Sequence, residues 1–260
     1  MNPDWLVPDW PAPKNVRAVC TTRLGGVSVA PYDSFNLGDH VGDDRLHVAA
    51  NRTGLRRALK ARPIFMDQVH GHKVLSLDVG SADGQQADAC MTRQPGLVCT
   101  VMVADCLPVL LSTCQGHAVA AAHAGWRGLA GRNGHGVLEQ TIKEFRALAL
   151  FDKGQEASEI IAWLGPCIGP TAFEVGEEVR AAFVQDQAQA AECFKPKSAG
   201  KWLADLAGLA RMRLSRMGVT EVFGNDSSGA WCTFNQPSKF FSFRRDGVTG
   251  RLAAAVWIQG

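Results

Sequence analysis

Residues 96–112 read "GLVCTVMVADCLPVLLS". Val98, Val101, Val103, Val109, Leu110 and Leu111 mark a buried strand region. Pro108 is expected to divide it, because proline cannot donate to a sheet ladder. Asp105, Pro108 and Gln115 interrupt the stretch well short of the roughly 18 uninterrupted apolar residues of a membrane helix. Next comes "HAVAAAHAGWRG", residues 117–128, a second buried strand running into a turn.

Outward from this centre, helical and strand periodicities are mixed. On the N-terminal side, residues 1–15 read as an extended lead-in, and residues 16–44 are rich in turn residues. Asp43 or Asp44 then caps a helix through about Lys60. "PIFMDQVHGHKVLSLD" reads as one or two strands with His70-Gly71 at the break. On the C-terminal side, Asn133 is placed to cap a helix carrying Val137, Leu138, Ile142, Phe145 and Ala149 at helical spacing. "EIIAWLGPCIGP" is a strand and a tight loop. Helices follow over Phe173–Phe183 and from about Leu203 to Met217, and "EVFG", "KFFSFRR" and "LAAAVWIQ" read as three further strands. The strict alternation of a doubly wound fold is missing. The expectation is a single α+β domain, 1–260, of layered mixed sheets and helices.

The 260 residues are 46% hydrophobic and 20% charged, with a formal charge of +2. That balance gives no argument for nucleic acid or an anionic membrane. The start, "MNPDWLVPDWPAPKN", has acidic residues and prolines where a secretion signal needs a basic start and an apolar run. A cytoplasmic protein is expected, in which the eight cysteines are reduced thiols. No segment reads as an assembly element, so a monomer is expected.

Three places end an apolar strand with a metal-capable side chain beside a turn: His70 in "MDQVHG", Cys106 in "VMVADCLPV" and His123 in "AAAHAGWRG". Two imidazoles and one thiolate are a common zinc set, and three protein ligands leave one position open, the pattern of a catalytic ion. The alternatives stay open at this level, since a strand-end histidine also serves as a hydrogen-bonded core residue and a free cysteine as a small buried hydrophobe.

The blocks "TTRLGGVSVAPYDSFNLGDHVGDD", "MDQVHG", "VADCLPVLL", "AAHAGWRGLAGR", "GPCIGP" and "FFSFRRDGVTGR" resemble, in order, those of the YfiH family. Its members are also called laccase-domain or polyphenol-oxidase-like proteins, or multifunctional purine nucleoside phosphorylases. The resemblance implies one zinc on His70, Cys106 and His123, and phosphorolysis of adenosine, inosine and methylthioadenosine together with adenosine deamination. It implies purine nucleosides and inorganic phosphate as partners, and a fold related to toxin-type cysteine hydrolases.

Further candidates each carry a bland alternative. Asp105 is the nearest general acid or base in sequence. Cys167 sits in a loop expected to precede a helix that receives an anion, or is a thiol in a tight turn. Arg244 is favoured over Arg245 as a phosphate grip, because neighbours on a strand face opposite ways. Trp126, Arg127 and Asn36 serve substrate or their own turns, and His72 and His117 read as structural or surface residues. Rival functions are a copper-dependent polyphenol oxidase, an amidase editing peptidoglycan precursors, through the same zinc-bound water or with Cys106 as nucleophile and a histidine base, and a binding module without turnover. Against the first, seven histidines are few for a multicopper oxidase.

Overall fold

The computed structural model describes residues 2–149 and 159–260; Met1 of the predicted lead-in lies outside the described residues. The quoted central stretch forms two strands that belong to different sheets. β5 (Leu97–Val103) lies inside a four-stranded sheet of order β1-β13-β5-β2, with β1 (Val16–Cys20), β2 (Arg62–Ile64) and β13 (Leu252–Ile258). β6 (Leu107–Thr113) lies inside a six-stranded sheet of order β12-β8-β6-β7-β4-β3. Its other members are β3 (Val74–Ser76), β4 (Ala89–Thr92), β7 (Val119–Ala124), β8 (Ile160–Leu164) and β12 (Val222–Gly224). The chain therefore crosses from one sheet to the other at Ala104, Asp105 and Cys106.

Side-chain alternation explains why both sheets are buried on two faces. In β13, Ala254, Val256 and Ile258 join Cys99, Val101, Cys90, Leu110, Ala121 and Trp163 in a core between the sheets. Ala253, Ala255 and Trp257 point the other way, onto Leu55 and Leu59 of α1 (Arg45–Leu59). On the far side of the six-stranded sheet, Ala120, Ala122 and Ala124 let α3 (Val137–Ala149) approach closely through Val137, Ile142 and Phe145. The layers run helix, sheet, sheet, helix. Each fully buried aliphatic side chain contributes roughly 1.5–3 kcal/mol, so these clusters are the main source of stability of the layers.

The α+β expectation holds, as do α1, which Asp44 caps by accepting from the Leu46 amide at 2.7 Å, and the buried face of α3. Several local expectations need correction. Pro108 does not divide the central stretch; it lies within β6, opposite His123, and the break comes earlier, where Asp105 adopts a φ of +94°. Asn133 is not the cap of α3, because it stands in a left-handed turn before the helix starts. The turn after His123 closes at once into a short helix, α2 (Trp126–Ala130).

The predicted Phe173–Phe183 helix starts late. Glu174–Gly176 forms β9, and α4 is Glu177–Val184. The reason is tertiary: β9 pairs with β11 (Lys201–Ala204), which also pairs with β10 (Phe194–Ser198) in a three-stranded sheet. The same pairing takes Leu203 from its predicted helix, so α5 is Leu206–Arg216. "KFFSFRR" is not a strand. Ser242 caps a short helix, α6 (Phe243–Asp246), by accepting from the Arg245 amide. The lead-in is tied down by a bridge from Leu6 to Cys20 and by the buried Trp5.

Candidate metal centre and its pocket

His70, Cys106 and His123 converge, with one ligand atom from each lying within 4.8 Å of the others. His70 comes from the loop after β2, Cys106 from the crossing between the sheets, and His123 from the end of β7, where it pairs with Pro108. The Cys106 Sγ to His70 Nε2 distance is 3.6 Å. A tetrahedral zinc with ordinary Zn–S and Zn–N bonds separates such atoms by about 3.6 Å. The donor set and the Cys106–His70 spacing fit a zinc ion. The three residues differ in exposure: His123 is buried, Cys106 half-buried and His70 exposed.

Asp88, just before β4, organises the cluster. Its Oδ1 accepts from the His70 amide and from His123 Nδ1, each at 2.9 Å. Its Oδ2 accepts from the Gly71 amide at 2.7 Å and the Val69 amide at 3.2 Å, and its backbone carbonyl accepts from the His123 amide. Two consequences follow. The His123 tautomer is set, leaving Nε2 as the ring nitrogen for a metal. His70 is also held at a φ of +60°, a conformation that side-chain-bearing residues adopt only when the surroundings impose it. Gly125 completes the closure. A Cβ there would lie 2.7 Å from His70 Cδ2 and 2.9 Å from Cys106 Sγ.

The electrostatics follow from this packing. Burial raises the Cys106 pKa, but His123 and His70 outweigh it and bring the thiol down to about 6. Burial lowers His123, but the Cys106 thiolate and Asp88 carry it up to about 9. Burial likewise raises Asp88, and its bonds to His123 and to the Gly71 and Val69 amides leave it below the ordinary value. Without metal, these opposite shifts favour a Cys106 thiolate facing a proton on His123 Nε2, the proton that a metal ion would displace.

The cluster forms one wall of a pocket of about 440 Å³. Gln68, Trp126, Phe173, Phe243, Arg127, Arg244 and Arg251 line the rest. The aromatic faces suit a flat heterocycle and the guanidinium groups an anion.

The other sequence candidates fall into place unevenly. Asp105 lines the pocket, but its carboxylate is occupied: Oδ1 accepts from Thr233 Oγ1 and Oδ2 from the Arg244 amide, both at 2.6 Å. Arg244 also lines the pocket, over the Phe173 ring, while Arg245 turns back to the Thr233, Phe234 and Phe240 carbonyls. The two do diverge, as residues of a short helix. Cys167 is buried behind the pocket wall, with a thiol raised well above its ordinary range by burial and Asp205, and no helix follows its loop directly. Asn36 holds its own turn and the Arg251 amide. Asp88 and Arg251 were not picked out from the sequence.

Compared with known proteins, residues 17–259 match the family described as multi-copper polyphenol oxidoreductase laccase. The chain belongs to this family. It is 50% identical over 256 residues to a purine nucleoside phosphorylase of Pseudomonas aeruginosa, covering 98% of each chain. It is 48% identical over 255 residues to the purine nucleoside phosphorylase YfiH of Escherichia coli, covering 97% of this chain and 98% of that one. Among solved structures, a Neisseria meningitidis protein superposes with a TM-score of 0.88 at 43% identity, covering 99% of this chain and 100% of that one. The YfiH protein of Bacillus licheniformis superposes at 0.82 and 28% identity, covering 94% and 93%. The YfiH resemblance and the YfiH-like fold are thus established. No helix among the described residues is long and apolar enough to cross a membrane.

Proposed function

We propose that this protein is a zinc-dependent purine nucleoside phosphorylase acting on adenosine, inosine and methylthioadenosine, with adenosine deaminase activity. The observation that carries the reading is the convergence of His70, Cys106 and His123 on a pocket that also presents aromatic faces and three guanidinium groups. The names of the relatives support it.

In phosphorolysis, an oxygen of monohydrogen phosphate forms a bond to the ribose C1′. The bond from C1′ to the purine nitrogen breaks, its electron pair leaves with the base, and the proton of the phosphate ends on that base. The products are the free purine and ribose 1-phosphate, or 5-methylthioribose 1-phosphate from methylthioadenosine. When bound, zinc supplies Lewis-acid chemistry at the pocket wall. Trp126, Phe173 and Phe243 hold the heterocycle by stacking, and Arg244 and Arg251 place positive charge where the anion enters. Asp105 acts through its neighbours: it fixes the start of α6 and with it Arg244. In deamination, water adds at the purine C6 and ammonia leaves.

The experiment is a product assay on inosine with and without inorganic phosphate. Hypoxanthine and ribose 1-phosphate should appear together and require phosphate; hypoxanthine with free ribose in phosphate-free buffer refutes phosphorolysis. Alanine at His70, Cys106 or His123 should remove metal and activity while the melting transition persists.

A second reading rests on one geometric fact. Cys106, His123 and Asp88 also stand in the order thiol nucleophile, imidazole base and orienting carboxylate, the arrangement of a cysteine amidase. Chelation separates the two, because it would abolish the first chemistry and spare amide hydrolysis.

A further inference from the structure

The two histidines of the cluster are held in different ways. His123 is oriented by Asp88 through Nδ1 at 2.9 Å. Among the described residues, the exposed His70 ring has a hydrogen-bond partner only in Cys106, at 3.6 Å. Its place is therefore set by the main chain, and that main chain leaves its sheet early. β2 pairs with β5 only as far as Ile64 opposite Cys99. Continued in register, Asp67 would stand opposite Met102. Instead Asp67 bridges to Gln86, donating to the Gln85 carbonyl at 3.0 Å and accepting from the Ala87 amide at 3.1 Å. On its other side Met102 pairs with Ala253. Directly opposed antiparallel residues exchange both main-chain bonds or neither, and the Ala253 amide and carbonyl are spent on Thr21. The N–H and C=O of the buried Met102 thus face the edge that β2 has vacated.

We propose that Gln68 is a positioning residue of the metal centre: its side-chain amide replaces the departed strand at Met102 and so sets where His70 stands against Cys106. Gln68 Nε2 donates to the Met102 carbonyl at 2.8 Å, and Gln68 Oε1 accepts from the Met102 amide at 2.7 Å. One side chain satisfies two buried main-chain groups, each costly to leave bare. The contact also spans the fold. Met102 lies near the end of β5 in the four-stranded sheet. Asp88, just before β4 of the six-stranded sheet, holds the amides of Val69, His70 and Gly71. The His70 loop is thus pinned to one sheet by Gln68 and to the other by Asp88, and Cys106 sits on the crossing between the same two sheets. Without the Gln68 anchor, the loop keeps its ligand but not the fixed approach of His70 to Cys106. The bond to Met102 depends on no metal; the inference rests on the zinc reading only for its effect on the ion.

The test compares wild type with Gln68→Met, of similar volume but without the amide, and with Gln68→Asn, which keeps the amide one methylene short. Ile142→Ala, a truncation in the core beneath α3, supplies a destabilised control. Hydrogen exchange over residues 65–71 is followed in the metal-free proteins, and zinc and cobalt(II) affinity by competition with a chelator of known affinity. In both Gln68 variants the loop should exchange about tenfold faster or more, with α3 unchanged. Groups that support a metal-bound histidine typically set about 10- to 100-fold of affinity, and Gln68→Met should lose that much. Its cobalt(II) spectrum, which reports ligand geometry, should shift as well. Ile142→Ala should lower the melting temperature yet keep loop exchange and metal affinity within about twofold of wild type. Faster loop exchange with unchanged metal affinity would make Gln68 a structural tether alone and overturn the proposal, as would unchanged exchange. Should Gln68→Met not fold, Gln68→Asn decides by the same criteria. If wild type binds neither ion, the zinc reading fails by itself; faster loop exchange then still supports Gln68 as the anchor of His70, and unchanged exchange refutes it.

Discussion

Replacing Asp88 by asparagine tests how the site is held. The substitution keeps the shape and removes only the charge and half of the accepting capacity. Asp88 is fully buried and spends Oδ1 on the His70 amide and His123 Nδ1, and Oδ2 on the Gly71 and Val69 amides. Whichever way the amide turns, its NH2 group faces two N–H donors. Hydrogen bonds to a charged acceptor are worth about 1.5–3 kcal/mol each, and the two lost are not fully additive, so metal-free Asp88→Asn should be less stable by about 2–4 kcal/mol. Supporting groups behind a metal-bound histidine typically set 10- to 100-fold of metal affinity, and a loss of that order is expected here.

The two measurements are urea unfolding of the metal-free proteins and competition for zinc against a chelator of known affinity. The stability difference should also shrink in acid. The folded Asp88 pKa is depressed, so its stabilising contribution is complete above the unfolded value of about 3.9 and is lost as pH falls through the lower folded one. Equal unfolding midpoints and equal zinc affinity in Asp88→Asn and wild type would show that this carboxylate does not organise the cluster.

Two further outcomes are expected. Gly125→Ala should lose at least tenfold in zinc affinity, since the added carbon would sit against His70 and Cys106; a competition titration that matches wild type would count against the packing argument. In protein stripped of metal, Cys106 should alkylate with a midpoint at about pH 6, not at its ordinary 9.0, and zinc should protect it. The thiolate contribution to metal-free stability is complete above the ordinary value and is lost as pH falls through about 6. Cys193, pushed up to about 11, should stay unreactive across that range, and Cys106→Ala supplies the control. A midpoint near the ordinary 9.0 would mean that the histidines do not stabilise the thiolate.

His70, Cys106 and His123 were legible because each combines a metal-capable side chain with the end of an apolar run, a local pattern. Asp88 has no such mark. It sits in "QQADAC", where an acid before a short strand is ordinary, and its meaning comes from three amides and an imidazole that meet only in the folded chain. Arg251 is hidden for a related reason: that its guanidinium meets two carbonyls and no carboxylate is a property of the surroundings. The misread segments share a cause as well. Val175, Val179 and Phe183 do repeat at helical spacing, but Val175 pairs with Trp202 in a sheet edge, and strand pairing overrides a periodicity only three contacts long. In "KFFSFRR" the buried Phe240 and Phe241 imitate a strand, while Ser242 caps a turn of helix.

The family description raises copper, and the side chains around the cluster bear on it. An electron-transfer copper site adds a weak axial thioether to two histidines and a cysteine. Met102 lines the pocket, but its Sδ meets Arg52 Nη2 at 3.9 Å, and Met102 packs with Leu55 and Phe65 on the α1 side of its sheet. The thioether is therefore committed to the outer layer of the sandwich. Among the described residues, the three-donor cluster has Asp88 behind it and an open pocket before it. A fixed tautomer, a preformed thiolate and room for a substrate are what a Lewis-acid ion needs. An electron-transfer centre is instead tuned by its axial ligand and shielded from solvent. Where the Met102 thioether points and how open the pocket stands are the features that support the zinc reading proposed above.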